Sequence, residues 1–420
     1  MALRDYQQEA SDAAVKFFRN KRDKSNALII APTGSGKTHV IADIASKLNT
    51  NVLVLCPNKD ILEQDHSKMK LYGYDGGIYS ASAGKKIIKR ITFAMIGSIM
   101  AHIDDFDEFG AIIIDEAHCV NAAGGMYKTF LTKVPRKILG LTATPYRLFT
   151  QLGIEYKGEF FANGSYKEED YFIGGFMPKP GVVQTQKCIL KFLTRTRPRI
   201  FSKVIYDISI QKLLKDGYLA HLQYFSMLSY DKSRVKLNST GRDYDEQSLQ
   251  SEYERSNVDE KLIDILMRLL HPKRGGERKG ILVFTSFIWQ AEKVAKQVPN
   301  SVVVSANTPK KERERITKAF KAGQIKFIIN VGIFTTGFDY PALDTVVMAR
   351  PTKSLALYYQ CIGRAIRPYK GKHGWIIDLT DNYEKFGRVE DLYMSESRPG
   401  QYVINGYAGG QWKPLTNVYY

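Results

Sequence analysis

The sequence predicts an α/β fold made of two mainly parallel sheets in tandem, and three observations carry that expectation. Short aliphatic runs alternate with helix-like segments in two separate stretches of the chain. The first run, ALII, passes into the glycine-rich APTGSGKT and from there into a helical pattern. At 420 residues the chain is too long for one ordinary core, and two domains of common size are the natural division.

In the first stretch ALIIAPTG, NVLVLCPN, ITFAMIG, AIIIDEAH and KILGLTATP each set an apolar strand before a polar turn. Helical patterns such as KTHVIADIASKLN lie between them. This rhythm defines a first domain over 1–148, with its chemistry at the carboxyl ends of the strands. After TATPYRL the rhythm breaks. Residues 149–203 are rich in Phe, Tyr and Gly, end in the basic KCILKFLTRTRPRIFSK, and read as an insertion. Residues 204–257 read as a return helix, DISIQKLLKDGYL, an extended QYFSML and a polar connector. GILVFTSF, SVVVSAN, IKFIINVG, DTVVMARP and GWIIDLTD restore the rhythm and define a second domain over 258–390. The tail, 391–420, is rich in Gly and Tyr and gives no clear pattern.

The apolar fraction of 44% and charged fraction of 25% are those of a folded globular chain, which argues against large-scale disorder. No apolar run reaches the length of a membrane span, and MALRDYQQEA is unlike a signal peptide. Cys56, Cys119, Cys188 and Cys361 are scattered, without a CxxC pair, so neither a disulfide scaffold nor a structural zinc is expected. A reducing cytoplasm fits. The formal net charge of +18 points to a polyanionic partner, of which nucleic acid is the commonest.

APTGSGKT, residues 31–38, has the composition of a phosphate-binding loop between a strand and a helix. Gly34 and Gly36 let backbone N–H groups turn inward, with Thr33 and Ser35 in the same loop. Lys37 reaches the β/γ-phosphates and Thr38 holds Mg²⁺. The strict pattern has Gly where this chain has Ala31. In AIIIDEAH, Asp115 emerges from a buried strand where it can bind the Mg²⁺ of a nucleotide. Glu116 beside it is placed to orient and deprotonate an attacking water.

DEAH following APTGSGKT and preceding TATP resembles a superfamily 2 helicase of the DEAD/DEAH-box type, and further motifs of that family appear in order. The resemblance implies two RecA-like domains with an ATP site in the cleft between them. LRDYQQEA resembles the adenine-reading segment, which would place Gln7 on the adenine edge and Arg4 or Tyr6 against the ring. LVLCPNKDILEQ and ITFAMIGSI resemble strand-contacting motifs, implying Pro57, Asn58 and Ser98 as contacts. Thr142 and Thr144 of TATP, with His118, resemble the elements that couple hydrolysis to nucleic acid. ILVFTSF implies contacts from Thr285 and Ser286. NVGIFTTGFDYP implies Thr335 and Thr336 near a strand, and Gly337 and Asp339 near the nucleotide.

QCIGRAIRP resembles the family's last motif. The pattern from Ser354 to Arg367 predicts a helix, with Leu355, Tyr358, Tyr359, Ile362 and Ile366 on its packed side. Gln360, Arg364 and Arg367 fall at i, i+4 and i+7 on the opposite face. Gly363 then suggests a close approach to a nucleotide held by the first domain. On this reading the arginines act as fingers on the γ-phosphate and Gln360 helps position the water.

DEAD-box RNA helicases usually carry a different tetrad and a histidine-led last motif. TATPYRL, LLKDGYL and ARPTKSLALYYQCIGRAIRP are closest in style to RadD-like and UvsW-like DNA helicases, without the cysteine-rich zinc module of the former. The expected activity is ATP-dependent unwinding or branch migration of single-stranded, forked or branched DNA, by a monomer. The alternatives are an RNA or RNA–DNA helicase, the motor of a restriction or defence complex, and an ATP-switched clamp without turnover. Arg195, Arg197 and Arg199, alternating along an extended segment, would touch successive phosphates. Aromatic residues earlier in the insertion would form a wedge or stack on unpaired bases.

Overall fold

A strand covered on both faces by helices needs an uninterrupted apolar run, and the runs identified above are such strands. The computed structural model describes residues 3–121, 124–271, 276–335 and 338–419. Its first sheet contains β1 (Ala27–Ile30), β2 (Asn51–Cys56), β3 (Gly77–Ser80), β4 (Lys85–Lys86), β5 (Ile91–Met95), β6 (Phe109–Asp115) and β7 (Ile138–Thr142). All pair in parallel except the short β3–β4 ladder. β1 and β7, whose ends carry the phosphate loop and TATP, are buried at every position.

The insertion is a long antiparallel ribbon. β8 (Tyr146–Tyr156) pairs residue for residue with a later strand, Val183–Phe192, and also with β9 (Glu159–Ala162). Between them β10 (Phe172–Ile173) and β11 (Met177–Pro178) form a small hairpin, and Val183–Phe192 is therefore β12. The ribbon begins at Tyr146, directly out of TATP, because antiparallel pairing continues to the last residue before the sheet.

Sheet pairing moves the expected domain limits. β13 (Lys203–Asp207) lies parallel to β1 at the edge of the first sheet, so the first domain reclaims the chain after the ribbon. β14 (Leu222–Ser226), in the stretch expected to be extended, pairs in parallel with β19 (Gly374–Asp378) of the second sheet. The rest of that sheet is β15 (Ile281–Thr285), β16 (Ser301–Val304), β17 (Phe327–Asn330) and β18 (Thr345–Ala349), all parallel. The return helix is shorter than its pattern, Ile210–Lys215, with Ser209 capping its first turn.

The tail forms a third antiparallel sheet, β20 (Tyr393–Arg398), β21 (Gln401–Ala408) and β22 (Gln411–Pro414). It grows from the second domain and docks on the first. The Asn417 N–H donates to the Leu190 carbonyl at 2.6 Å, and the Phe192 N–H donates to Asn417 Oδ1 at 3.2 Å. Thr194 Oγ1 donates to the Gly400 carbonyl at 2.9 Å. No helix among the described residues is long and apolar enough to cross a membrane.

Candidate nucleotide site between the two sheets

The loop after β1 reverses through two left-handed residues, Gly34 (φ 87°) and Gly36 (φ 82°), and Gly36 caps the helix Lys37–Lys47. Only glycine takes this geometry at no cost, and a side chain would also press on its neighbours. A Cβ on Gly36 would lie 2.5 Å from Gln7 Nε2, and one on Gly34 would lie 3.1 Å from Leu219 Cδ2. Lys37 leads the helix, and its Nζ meets Glu116 Oε1 at 3.0 Å.

Glu116 follows β6 in the left-handed region (φ 50°, ψ 53°), a backbone state that side-chain-bearing residues adopt chiefly where surroundings enforce it. Its other oxygen lies 3.3 Å from His118 Nδ1, and that nitrogen is also 2.9 Å from Thr142 Oγ1. Thr142 Oγ1 in turn accepts from the Thr144 N–H at 3.0 Å. The expected coupling residues thus form one connected chain. Its other end crosses the cleft: the Gln360 carboxamide and His118 Nε2 are 2.9 Å apart. Gln360 is therefore held by the histidine of DEAH in this arrangement.

The second sheet supplies the arginines, by a route that differs from the expected one. The helix ends at Ile362, and Gly363 is its cap (φ −57°). Beyond it the chain tightens into a turn, with the Arg364 N–H on the Cys361 carbonyl (3.2 Å) and the Ala365 N–H on that of Ile362 (2.9 Å). Arg364 and Arg367 reach the cleft from a turn, not from one helical face. Gly363 does mark a close approach, but to the phosphate loop itself: its Cβ would sit 3.0 Å from Thr33 Cβ and Cγ2. We expect Gly363→Ala to impair closure by about 1–3 kcal/mol, the usual cost of overpacking. It should lower ATP turnover while calorimetry finds ADP affinity nearly unchanged.

Arg364 is buried and donates to the carbonyls of Thr335 (2.6 Å), Phe338 (2.9 Å) and Gln360 (3.3 Å). Arg367 pairs with Asp339, and its Nε is buried without a partner. Thr336 and Gly337 lie outside the described residues. Thr33, Gly34, Gly36, Lys37, Thr38, Asp115, Glu116, Asp339, Gln360, Arg364 and Arg367 line one cleft of about 270 Å³.

Electrostatics inside the cleft are strongly biased. Burial pulls the Lys37 ammonium down, yet Glu116 and Asp115 outweigh it and raise its pKa. Burial also works against the Glu116 carboxylate, but Lys37 and His118 hold it below the usual range. For His118, burial is overcome by contacts with Cys119 and Glu116, which lift the imidazole to about 10. Desolvation, reinforced by Asp65 and Glu116, drives Asp115 well up, and its Oδ1 is buried with no partner. Burial lowers Arg364, and lowers Arg367 to about 10. An orphaned carboxylate oxygen beside Lys37 and Thr38 fits a hard cation carried by a polyphosphate.

A second recess of about 250 Å³ adjoins the loop, lined by Arg4, Gln7, Gly34, Ser35, Gly36, His39 and Tyr72. Gln7 Nε2 donates to the Ser35 carbonyl (2.8 Å) and its Oε1 accepts from the Arg4 N–H (3.0 Å). One N–H and one lone pair remain, a donor–acceptor pair suited to an adenine edge. Tyr6 is buried with its hydroxyl on the Ser35 carbonyl, so of the two ring-packing candidates only Arg4 is exposed. Arg4 lies 4.2 Å from the Tyr218 ring. His39, Tyr72 and Tyr218 were not foreseen; they converge only through folding, and no local pattern marks them.

The expected strand contacts divide. Pro57, Asn58, Ser98, Ser286 and Thr335 are half-buried, with Pro57, Asn58 and Ser286 just past strand ends, Ser98 in the short helix Ile96–Ile99 and Thr335 in a turn. The Asn58 side chain caps the helix Lys59–Leu71 (3.0 Å to the Ile61 N–H), and Ser98 Oγ accepts from the Ala81 N–H (3.0 Å). Thr285 is a correction: it is fully buried, its hydroxyl directed at the Asn330 carbonyl, because it is the last residue of a covered strand. The segment Leu193–Arg195 is a 3₁₀ turn and not extended. Arg195, Arg197 and Arg199 are nevertheless exposed while Thr194 and Thr196 are buried.

Residues 1–147 match the family model described as "Type III restriction enzyme, res subunit", and 260–369 match "Helicase conserved C-terminal domain". The chain is a superfamily 2 helicase of the DEAD/DEAH type. IRC3 of Saccharomyces cerevisiae is 25% identical to this helicase over 407 residues, covering 90% of this chain and 51% of that protein. The chain thus spans about half the length of that relative. The "DNA 3'-5' translocase XPB2" of Sulfurisphaera tokodaii is 26% identical over 392 residues, 90% of this helicase and 81% of XPB2. A solved fragment of an HsdR subunit of a type I restriction enzyme from Vibrio vulnificus superposes with a TM-score of 0.61 at 22% identity. It covers 90% of this helicase and 64% of that chain, a likeness of fold.

Proposed function

We propose that this helicase uses ATP hydrolysis to move along DNA and to unwind or remodel forked or branched DNA. One observation carries the reading. Lys37, Asp115 and Glu116 from one sheet face Gln360, Arg364 and Arg367 from the other across a single cleft, so turnover and domain closure are the same event. Lys37 holds the β/γ-phosphates, Glu116 takes the proton of the attacking water, and Arg364 and Arg367 stabilise the charge that develops on the γ-phosphoryl group. Thr38 and Asp115 would hold Mg²⁺, which neutralises phosphate charge when bound. Hydrolysis removes the group the arginines grip, and the link from Glu116 through His118 to Thr142 and Gln360 carries the change to both domains.

The net charge of +18 and the exposed Arg195, Arg197 and Arg199 support a nucleic-acid track made mainly to phosphates. The name of the XPB2 relative favours DNA. The test is ATP turnover with single-stranded, forked and four-way DNA and with RNA. DNA should stimulate turnover, forked or four-way DNA most, and stimulation should fall steeply as salt rises. Lys37→Ala should abolish turnover and spare DNA binding. Stimulation by RNA alone would replace DNA with RNA as the substrate, and no stimulation by any of them would end the motor reading.

A further inference from the structure

Asp65 stands on the buried stripe of the helix Lys59–Leu71, between Leu62 and Met69, where an apolar residue would be expected. A carboxylate in such a place is costly unless a polar partner compensates it. Its partner is Thr38, whose Oγ1 donates to Asp65 Oδ1 at 2.7 Å; Cys56 Sγ approaches the other oxygen at 3.7 Å. Thr38 is also the residue proposed to hold the nucleotide's cation. A hydroxyl has one proton and two lone pairs, so the acceptor of the proton decides where the lone pairs point. Asp115 Oδ1, buried in the same cleft, has no protein partner. With Thr38 on one oxygen and Cys56 on the other, Asp65 meets the cleft through Thr38.

We propose that Asp65 is a positioning residue for the divalent cation: it accepts the hydrogen bond of the Thr38 hydroxyl, leaving the Thr38 lone pairs and Asp115 Oδ1 to the metal. The inference rests on the nucleotide reading above. Outer partners of metal ligands typically contribute on the order of 10–100-fold to metal affinity. The experiment measures ADP binding to the full chain by calorimetry while Mg²⁺ is titrated, with a parallel series in EDTA. Asp65→Leu keeps the branched shape but no acceptor, and should raise the half-maximal Mg²⁺ concentration by on the order of 10–100-fold. Asp65→Asn keeps an acceptor and should stay near the parent chain, and ADP binding in EDTA should match in all three. If Asp65→Leu does not fold, judged by its melting curve, Asp65→Ala takes its place. In a Thr38→Val background the Asp65 change should add nothing. Unchanged Mg²⁺ dependence in Asp65→Leu, equal damage in Asp65→Asn, or equal loss in EDTA would overturn the proposal. A parent chain that binds no ADP at any Mg²⁺ concentration would instead overturn the nucleotide reading itself.

Discussion

Arg364→Ala should lower ATP turnover by about 10³ or more while the protein still binds nucleotide. The phosphate loop is complete without Arg364, so affinity for ADP has no reason to collapse. Rate is different, because the guanidinium contributes only once charge develops on the γ-phosphoryl group. The same side chain ties the Thr335 and Phe338 carbonyls to Gln360, so its removal also loosens the loop after β17. Arg364→Lys separates the two parts: it restores a charge but not the planar fork that reaches three carbonyls. Single-turnover hydrolysis, ADP calorimetry and a melting curve on both variants report the parts individually. Near-normal turnover in Arg364→Ala would remove the finger assignment.

Glu116→Gln should slow hydrolysis by roughly 10²–10⁴-fold, the range for loss of a general base. It should also prolong the lifetime of bound ATP. The geometry adds a specific expectation. Lys37 meets one oxygen of Glu116 and His118 the other, so the base is engaged until phosphate draws Lys37 away. Glutamine offers neither the charge nor the basic oxygen, so ATP should bind without being consumed. Filter binding of labelled ATP alongside phosphate release checks both halves. Rapid phosphate release in Glu116→Gln would remove the residue from its role.

Local signals in the sequence were reliable where the chemistry is local. An apolar run followed by glycines and a lysine is a strand, a turn and a helix start, and all of it lies within a dozen residues. The same holds for Asp115 and Glu116 at the end of β6. Signals failed where the outcome depends on what arrives from far away. Lys203–Asp207 lies where the insertion was expected to meet the return helix, and Leu222–Ser226, though extended in pattern, shows its sheet only when it pairs with β19. Tyr6 and Gln7 are adjacent in the motif, but packing against Ser35 buries one hydroxyl and leaves the other side chain two free polar positions. Asp65 carried no signal at all, since one acidic residue on a polar helix is unremarkable until Thr38 is placed beside it. The arginines were drawn on a helix that stops at Ile362, and they follow it in a turn where helical spacing does not apply.

The tail sheet has a mechanical consequence. The two lobes are joined along the chain by the segment between β13 and β14, and a second time by β21 and Asn417 against the ribbon at Leu190, Phe192 and Thr194. The ribbon is braced from the other lobe as well, through Thr150 and Arg242 to the loop at Thr240. A body held at one point can swivel about any axis, and each further tie removes some of that freedom. The tail and the ribbon thus limit how the two lobes can swing, and Arg364 and Arg367 sit close to the chain connection itself, where the Ala220 N–H donates to the Ile366 carbonyl at 2.8 Å.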